Sequence, residues 1–231
     1  MAIPKRPEPL DPQVERAAEA GDVAAMRHVG IHRYESGENA ASEKWLLAAA
    51  QAGDAEAMYT LSRVHHDRAV SAGLHGKASD VTAASWCRRA AEAGSVDAIR
   101  AMRSWAEPDE REFWLRKAVE TGDPYAASGL GALLDREGRT AEAEEWHRRA
   151  AREPGYHGHK ARHELANFLV GQRRLEEAAA CLMQNAEEGD SSAARYLGDI
   201  YEWLGRADEA RSWRLRADVL RAAEPEPNPE R

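Results

Sequence analysis

The chain has 231 residues, 43% hydrophobic and 31% charged, and its formal net charge of -8 argues against general nucleic-acid binding, which needs a clustered excess of Lys and Arg. Its two cysteines, Cys87 and Cys181, are far apart, so neither a disulfide framework nor a zinc knuckle is indicated, and a reducing cytoplasm is the expected compartment. No segment approaches the roughly 20 apolar residues that cross a bilayer, and the opening MAIPKRPEPLDP has no apolar run, so a soluble, cytoplasmic protein without a membrane partner is expected.

In chain order, residues 1–10 are punctuated by Pro and read as a flexible leader. Asp11 before Pro12 opens a first helix to residue 20, a half-unit that caps the N-terminal end. Six helix pairs follow: 22–36 with 39–52, 54–69 with 80–93, 95–105 with 109–121, 123–137 with 140–153, 157–170 with 174–188, and 190–204 with 207–222. The closing residues 223–231, AEPEPNPER, are acidic, Pro-rich and without apolar anchors, and are expected to be disordered.

The pairs repeat one another. A Trp or Cys stands eight residues before a corner Gly at 45 and 53, 86 and 94, 114 and 122, and 181 and 189. Nine residues after the corner comes a slot that is usually small, at Gly30, Ser62, Arg103, Gly131 and Gly198; the fifth corner, EPGYHGHKAR, is longer, and Ala166 takes the slot there. The corner Gly suits the left-handed conformation after a helix end, and Asp22, Asp54, Ser95, Asp123 or Asp190 directly after it suits a cap on the next helix. Such internal periodicity is the signature of stacked supersecondary units, so one elongated domain over residues 11–222 is expected. Only the connection inside a hairpin varies, with about nine extra residues around SAGLHGKASD in the second pair and about four fewer in the third. The tryptophans in the repeating slot are expected to be packing anchors, whereas Trp105 and Trp203 fall outside it.

Segments such as WCRRAAEAG (86–94), AGDAEAMYTLS (52–62) and EGDSSAARYLGDIYEWLGRADEARSW (188–213) resemble Sel1-like repeats, a subgroup of the tetratricopeptide repeat superfamily, over residues 12–221. The resemblance implies an all-α, right-handed superhelical solenoid of about six antiparallel hairpins. It also implies a non-catalytic adaptor or scaffold, without a cofactor, that holds a protein or peptide partner in a concave groove lined by the first helix of each pair.

On those helices, three residues before the small slot stand Arg27, Tyr59, Arg100, His163 and Arg195, and one residue after it stand Arg63 and Asn167. With Tyr34, His66, Tyr125 and Trp203 they form the candidate partner-binding set. Guanidinium groups donate paired hydrogen bonds to carboxylates and Tyr adds apolar area, so an acidic or carboxylate-bearing segment is the expected occupant. The competing reading is that the arginines pair with Glu56, Asp97 or Glu202 and only solvate the groove. Self-association into a homodimer stays open as an alternative. An enzyme or metal-binding reading would use the His-rich corner 157–163, but neither His157, His159 and His163 nor His28 and His32 carry the Glu of an HExxH helix. No Cys or Asp completes the spacing either, so no metal is expected. GLHGKAS (73–79) lacks the spacing of a phosphate-binding loop.

Overall fold

A computed structural model describes residues 9–73 and 81–223. The expected leader, most of the expected tail and the extra stretch 74–80 of the second connection, with Lys77, lie outside the described residues. The elements are α1 (Pro12–Glu19), α2 (Val23–Glu35), α3 (Asn39–Gln51), α4 (Ala55–Ser71), α5 (Val81–Glu92), α6 (Val96–Trp105), α7 (Arg111–Glu120), α8 (Ala126–Arg136), α9 (Thr140–Ala151), α10 (Gly155–Gly171), α11 (Leu175–Glu187), α12 (Ser191–Trp203) and α13 (Ala207–Ala223). Among the described residues there is no strand. The expected pairs are all present, and α10 starts two residues earlier than the spacing suggests.

The corners form for the reasons their residues supply. Gly53 sits at φ +93° and Gly189 at φ +101°, conformations that an L side chain rarely adopts. Directly after them, the Asp54 side chain accepts the Ala57 amide at 2.8 Å and Asp190 accepts the Ser192 and Ala193 amides at 2.8 and 3.1 Å. Each such cap satisfies donors that would otherwise be orphaned at a helix start and contributes about 1 kcal/mol.

In three of the hairpins the small slot is set by a close approach. A Cβ on Gly30 would lie 2.6 Å from Leu46 Cγ, one on Gly131 3.0 Å from the His147 ring, and one on Gly198 2.7 Å from Arg214 Cγ. The partner is therefore the residue after the Trp or Cys, not the aromatic itself. Leu46, Cys87, Leu115 and Leu182 hold that register and are at most 2% exposed. The expected anchoring by the tryptophans is graded, and Trp45 packs against the Ala18, Ala25 and Val29 cluster. Trp114 is buried, but Trp45, Trp86, Trp146 and Trp213 are half-buried at the margin. A cation covers each of these four: Lys44 over Trp45, Arg89 over Trp86, Arg149 over Trp146 and Arg216 over Trp213, at 4.1–5.3 Å from the ring. Three of these arginines sit three residues after their Trp, which places both side chains on one helix face.

The helices fall into two compact units divided after Gly122. In the first, α1 to α7, Val29, Leu46, Leu61, Val64, Met102 and Leu115 are fully buried. In the second, α8 to α13, that role passes to Leu130, Leu134, Leu169, Leu182, Leu197 and Ile200.

His147 is the buried polar member of this series. It is 5% exposed, packs on Phe168 at 5.2 Å between ring centroids, and its buried Nδ1 has no hydrogen-bond partner. Burial lowers its pKa below the usual 6.5, with Asp135 opposing weakly. The unfolded chain then takes up the proton first, so this group's contribution is intact above pH 6.5 and is lost as the pH falls from there toward the lowered folded value. His147→Leu installs the residue found at this register in Leu46, Leu115 and Leu182 and removes the orphaned nitrogen. It is expected to raise stability by about 1 kcal/mol at pH 7, with a larger gain at pH 5.5, as read by thermal unfolding at the two pH values.

Candidate functional site

In the first unit, α2, α4, α5 and α6 converge on a cleft of about 370 Å³ lined by Tyr34, Tyr59, Arg63, His66, Asp67 and Trp105, with Ser62 and Cys87 among its walls. Tyr59, Arg63 and His66 come from successive turns of α4, whose 3.6-residue period aligns them on one face. Tyr34, near the end of α2, lies under the Arg63 guanidinium, 5.0 Å from its ring centre, and donates its hydroxyl to Asp67 at 2.5 Å. Trp105 enters because α6 is short. The helix stops at Trp105, Ala106 turns extended ahead of Pro108, and the indole packs on His66 at 5.4 Å between centroids.

The electrostatics of the cleft favour hydrogen-bond donors. Burial pushes the phenols of Tyr34 and Tyr59 above their usual range, and the bond to Asp67 adds to the effect at Tyr34, so both stay protonated at neutral pH. Burial pushes the Cys87 thiol up to about 11, and its Sγ donates to the Ala98 carbonyl at 3.7 Å, which makes it an inert part of the wall and not a nucleophile.

Four members of the candidate set, Tyr34, Tyr59, Arg63 and His66, are thus brought together. The others are not part of this cleft. Arg27 pairs with Asp54 at 2.8 Å, Arg100 with Asp97 at 3.4 Å and Arg195 with Asp218 at 2.6 Å; of these acids only Asp97 is one that the competing reading names. In the second unit Tyr125 stands edge-on to His157 at 4.5 Å, Trp203 is 55% exposed beside Tyr196, and Asn167 is exposed. Trp105 and Asp67 were missed as members of the cleft. Tyr34 and Asp67 lie 33 residues apart, one more than the 32-residue repeat from Gly30 to Ser62, and that near-repeat spacing is the signal that could have joined them.

The same register explains a second cluster. Arg27 and His163 each stand three residues before the small slot, and each reaches the capping Asp 27 residues on, Asp54 and Asp190. The fifth repeat adds a second imidazole one turn earlier on α10. His159 Nε2 lies 2.7 Å and His163 Nε2 2.6 Å from the same Asp190 Oδ2, while Asp190 Oδ1 stays on the helix cap. The expectation that no Asp completes the histidine spacing is therefore corrected, because Asp190 arrives from the next hairpin. Burial pushes the Asp190 carboxyl up, but bonds from His163, the Ala193 amide and His159 outweigh it and bring the pKa down to about 2. Beside it, Asn185 is fully buried, accepts from Arg162 and donates to the His159 carbonyl at 2.8 Å, which fixes that turn of α10.

Among the described residues no helix is long and apolar enough to cross a membrane. No family model and no curated protein sequence matches the chain. Its structure is similar to that of a Sel1 repeat protein from Oxalobacter formigenes, 21% identical, with 92% of this chain and 99% of that one covered and a TM-score of 0.51. It is also similar to PilF of Pseudomonas aeruginosa, 15% identical, with 92% and 95% covered and a TM-score of 0.53. A protective antigen of uropathogenic Escherichia coli displaying an SLR fold is 24% identical with a TM-score of 0.56, over 90% of this chain and 50% of that one, so the chain spans about half the length of that antigen. Helix pairs, corner glycines and these structural neighbours together give the chain a Sel1- and tetratricopeptide-like all-α repeat solenoid fold.

Proposed function

We propose that the protein is a non-catalytic interaction scaffold whose first unit holds a carboxylate-bearing segment of a protein partner in the Tyr34, Tyr59, Arg63, His66 and Trp105 cleft. The observation that carries this reading is the state of Arg63. It is exposed, and an aromatic face holds its guanidinium in place of an acid. Its planar fork keeps edge donors for a bidentate carboxylate, while the stacking on Tyr34 limits the entropy lost on binding. Tyr59 and His66 extend the polar wall and Trp105 supplies apolar area, a combination typical of interface hot spots. Asp67 lines the same cleft, but one of its oxygens is engaged by the Tyr34 hydroxyl, which moderates its repulsion of an incoming acid.

The reading includes a single repeat domain over residues 11–222 and a cytoplasmic setting, in keeping with the free thiols Cys87 and Cys181. Selection from a random peptide library on the intact chain tests it. Enrichment of acidic segments or free C-terminal carboxylates is expected, and enrichment of basic or purely apolar segments contradicts it. A second reading, self-association, draws on α13, where Leu215 and Val219 are 67% and 70% exposed one turn apart. An apparent mass by light scattering that rises from one chain toward two as the protein is concentrated supports self-association, and a mass of one chain throughout rules it out.

A further inference from the structure

In the first repeat an Arg meets the capping Asp of the next hairpin, an ion pair that needs nothing more. In the fifth, two imidazoles converge on the capping Asp, and their two Nε2 atoms and Asp190 Oδ2 all lie within 4.8 Å of one another. We propose that His159, His163 and Asp190 bind one divalent transition-metal ion of the zinc class.

The chemistry runs from the donor set. As the side chains stand, both rings must turn an Nε2–H toward one carboxylate oxygen, and a single divalent cation replaces both protons at that point. Two imidazoles four residues apart on a helix present their nitrogens to one ion, the spacing used by helical zinc sites. Two nitrogens and one oxygen suit zinc, cobalt or nickel, whereas calcium and magnesium call for oxygen shells. Bonds of about 2.0–2.1 Å in a tetrahedron place the donors roughly 3.3 Å apart, so the contacts of 2.6 and 2.7 Å open by about 0.6 Å, within the reach of small side-chain rotations.

The surroundings hold the donors in place. Asp190 Oδ1 is tied to the Ser192 and Ala193 amides, which aims Oδ2 at the rings. His159 Nδ1 lies 3.8 Å from Glu188 Oε2, too far for a hydrogen bond as the side chains stand, and that oxygen also faces Arg162 at 3.5 Å; a rotation of Glu188 would make it the outer partner of a metal-bound imidazole. The three side chains are 31%, 25% and 14% exposed, open enough for an ion to enter and enclosed enough to hold it. Three protein donors leave at least one coordination position for water. The ion would tie α10 to the corner between α11 and α12, and it lies in the second unit, so it stands or falls independently of the partner cleft.

The test is titration of the chelator-stripped full chain with zinc chloride by calorimetry, and with cobalt chloride by visible ligand-field absorption. One ion per chain is expected, with a rise in the unfolding temperature. Binding should weaken at least tenfold in His159→Gln and in Asp190→Asn, and be unchanged in a His28→Gln/His32→Gln control. Asn caps helices as well as Asp does, so Asp190→Asn removes the ligand oxygen and keeps the cap. Absence of saturable one-to-one binding overturns the proposal. So does binding that survives His159→Gln, or that is abolished in a folded Cys87→Ala/Cys181→Ala variant.

Discussion

Gly158→Ala is expected to destabilise the protein by roughly 3 kcal/mol, while Gly171→Ala at the far end of the same helix is expected to stabilise it by about 0.5 kcal/mol. Gly158 is buried where α9 turns into α10, and a Cβ at this position would fall 1.6 Å from the Glu153 carbonyl oxygen. That neighbour is backbone and no rotamer relieves the clash, so the corner at Glu153–Gly155 must open. Opening it moves the first turn of α10, including His159 and its contacts to Asp190 and Asn185. At Gly171 a methyl group would meet nothing within 4 Å, and its φ is not in the left-handed region. Alanine there restricts the unfolded chain without a clash. Denaturant unfolding of the two variants beside the parent checks the pair. Equal and small effects would mean that the corner is not built as described.

The second large effect is on binding. Arg63→Glu is expected to weaken capture of a selected carboxylate peptide by about 2 kcal/mol or more, roughly thirtyfold, because the change removes the fork and places a like charge against the ligand. Arg100→Glu should alter affinity by no more than about twofold, as its guanidinium already lies against Asp97 at 3.4 Å on an exposed face. Arg63 is itself exposed and loses its stacking and a side-chain hydrogen bond with Tyr34, so folding should change by only about 1 kcal/mol. Fluorescence anisotropy with a labelled peptide reads the first effect and thermal unfolding the second. Comparable losses at Arg63 and Arg100 would mean that the acidic preference is a general property of the surface and not of the cleft.

Much of the fold was legible because the rules at the corners are local. A Gly followed by Asp or Ser states both the end of one helix and the cap of the next, and Gly21, Gly53, Gly94, Gly122 and Gly189 all take positive φ. The small slots were legible too, but the residues that fill them were not. A residue one further along a helix from Trp45 or Trp86 points about 100° around the axis, and that step turns Leu46 and Cys87 into the core and leaves the indoles half-buried under cations. The candidate site was half legible. Tyr59, Arg63 and His66 share one helix face and could be read from its period, but Trp105 depends on where α6 stops. Asp190 was recognised as a cap, yet a capping carboxylate has a second oxygen, and here that oxygen is aimed by a contact spanning 27 residues. Applying the repeat register across hairpins, as for Arg27 and Asp54, is what makes such pairs readable.

The central claim, that Arg63 recognises a partner carboxylate in this cleft, is tested most directly by a double-mutant cycle. Affinities are measured for the parent and Arg63→Ala, each with a selected peptide and with its carboxylate converted to the amide. The account predicts a coupling energy of at least about 1 kcal/mol, the signature of two groups in contact. Strictly additive losses, with a coupling near zero, would contradict it.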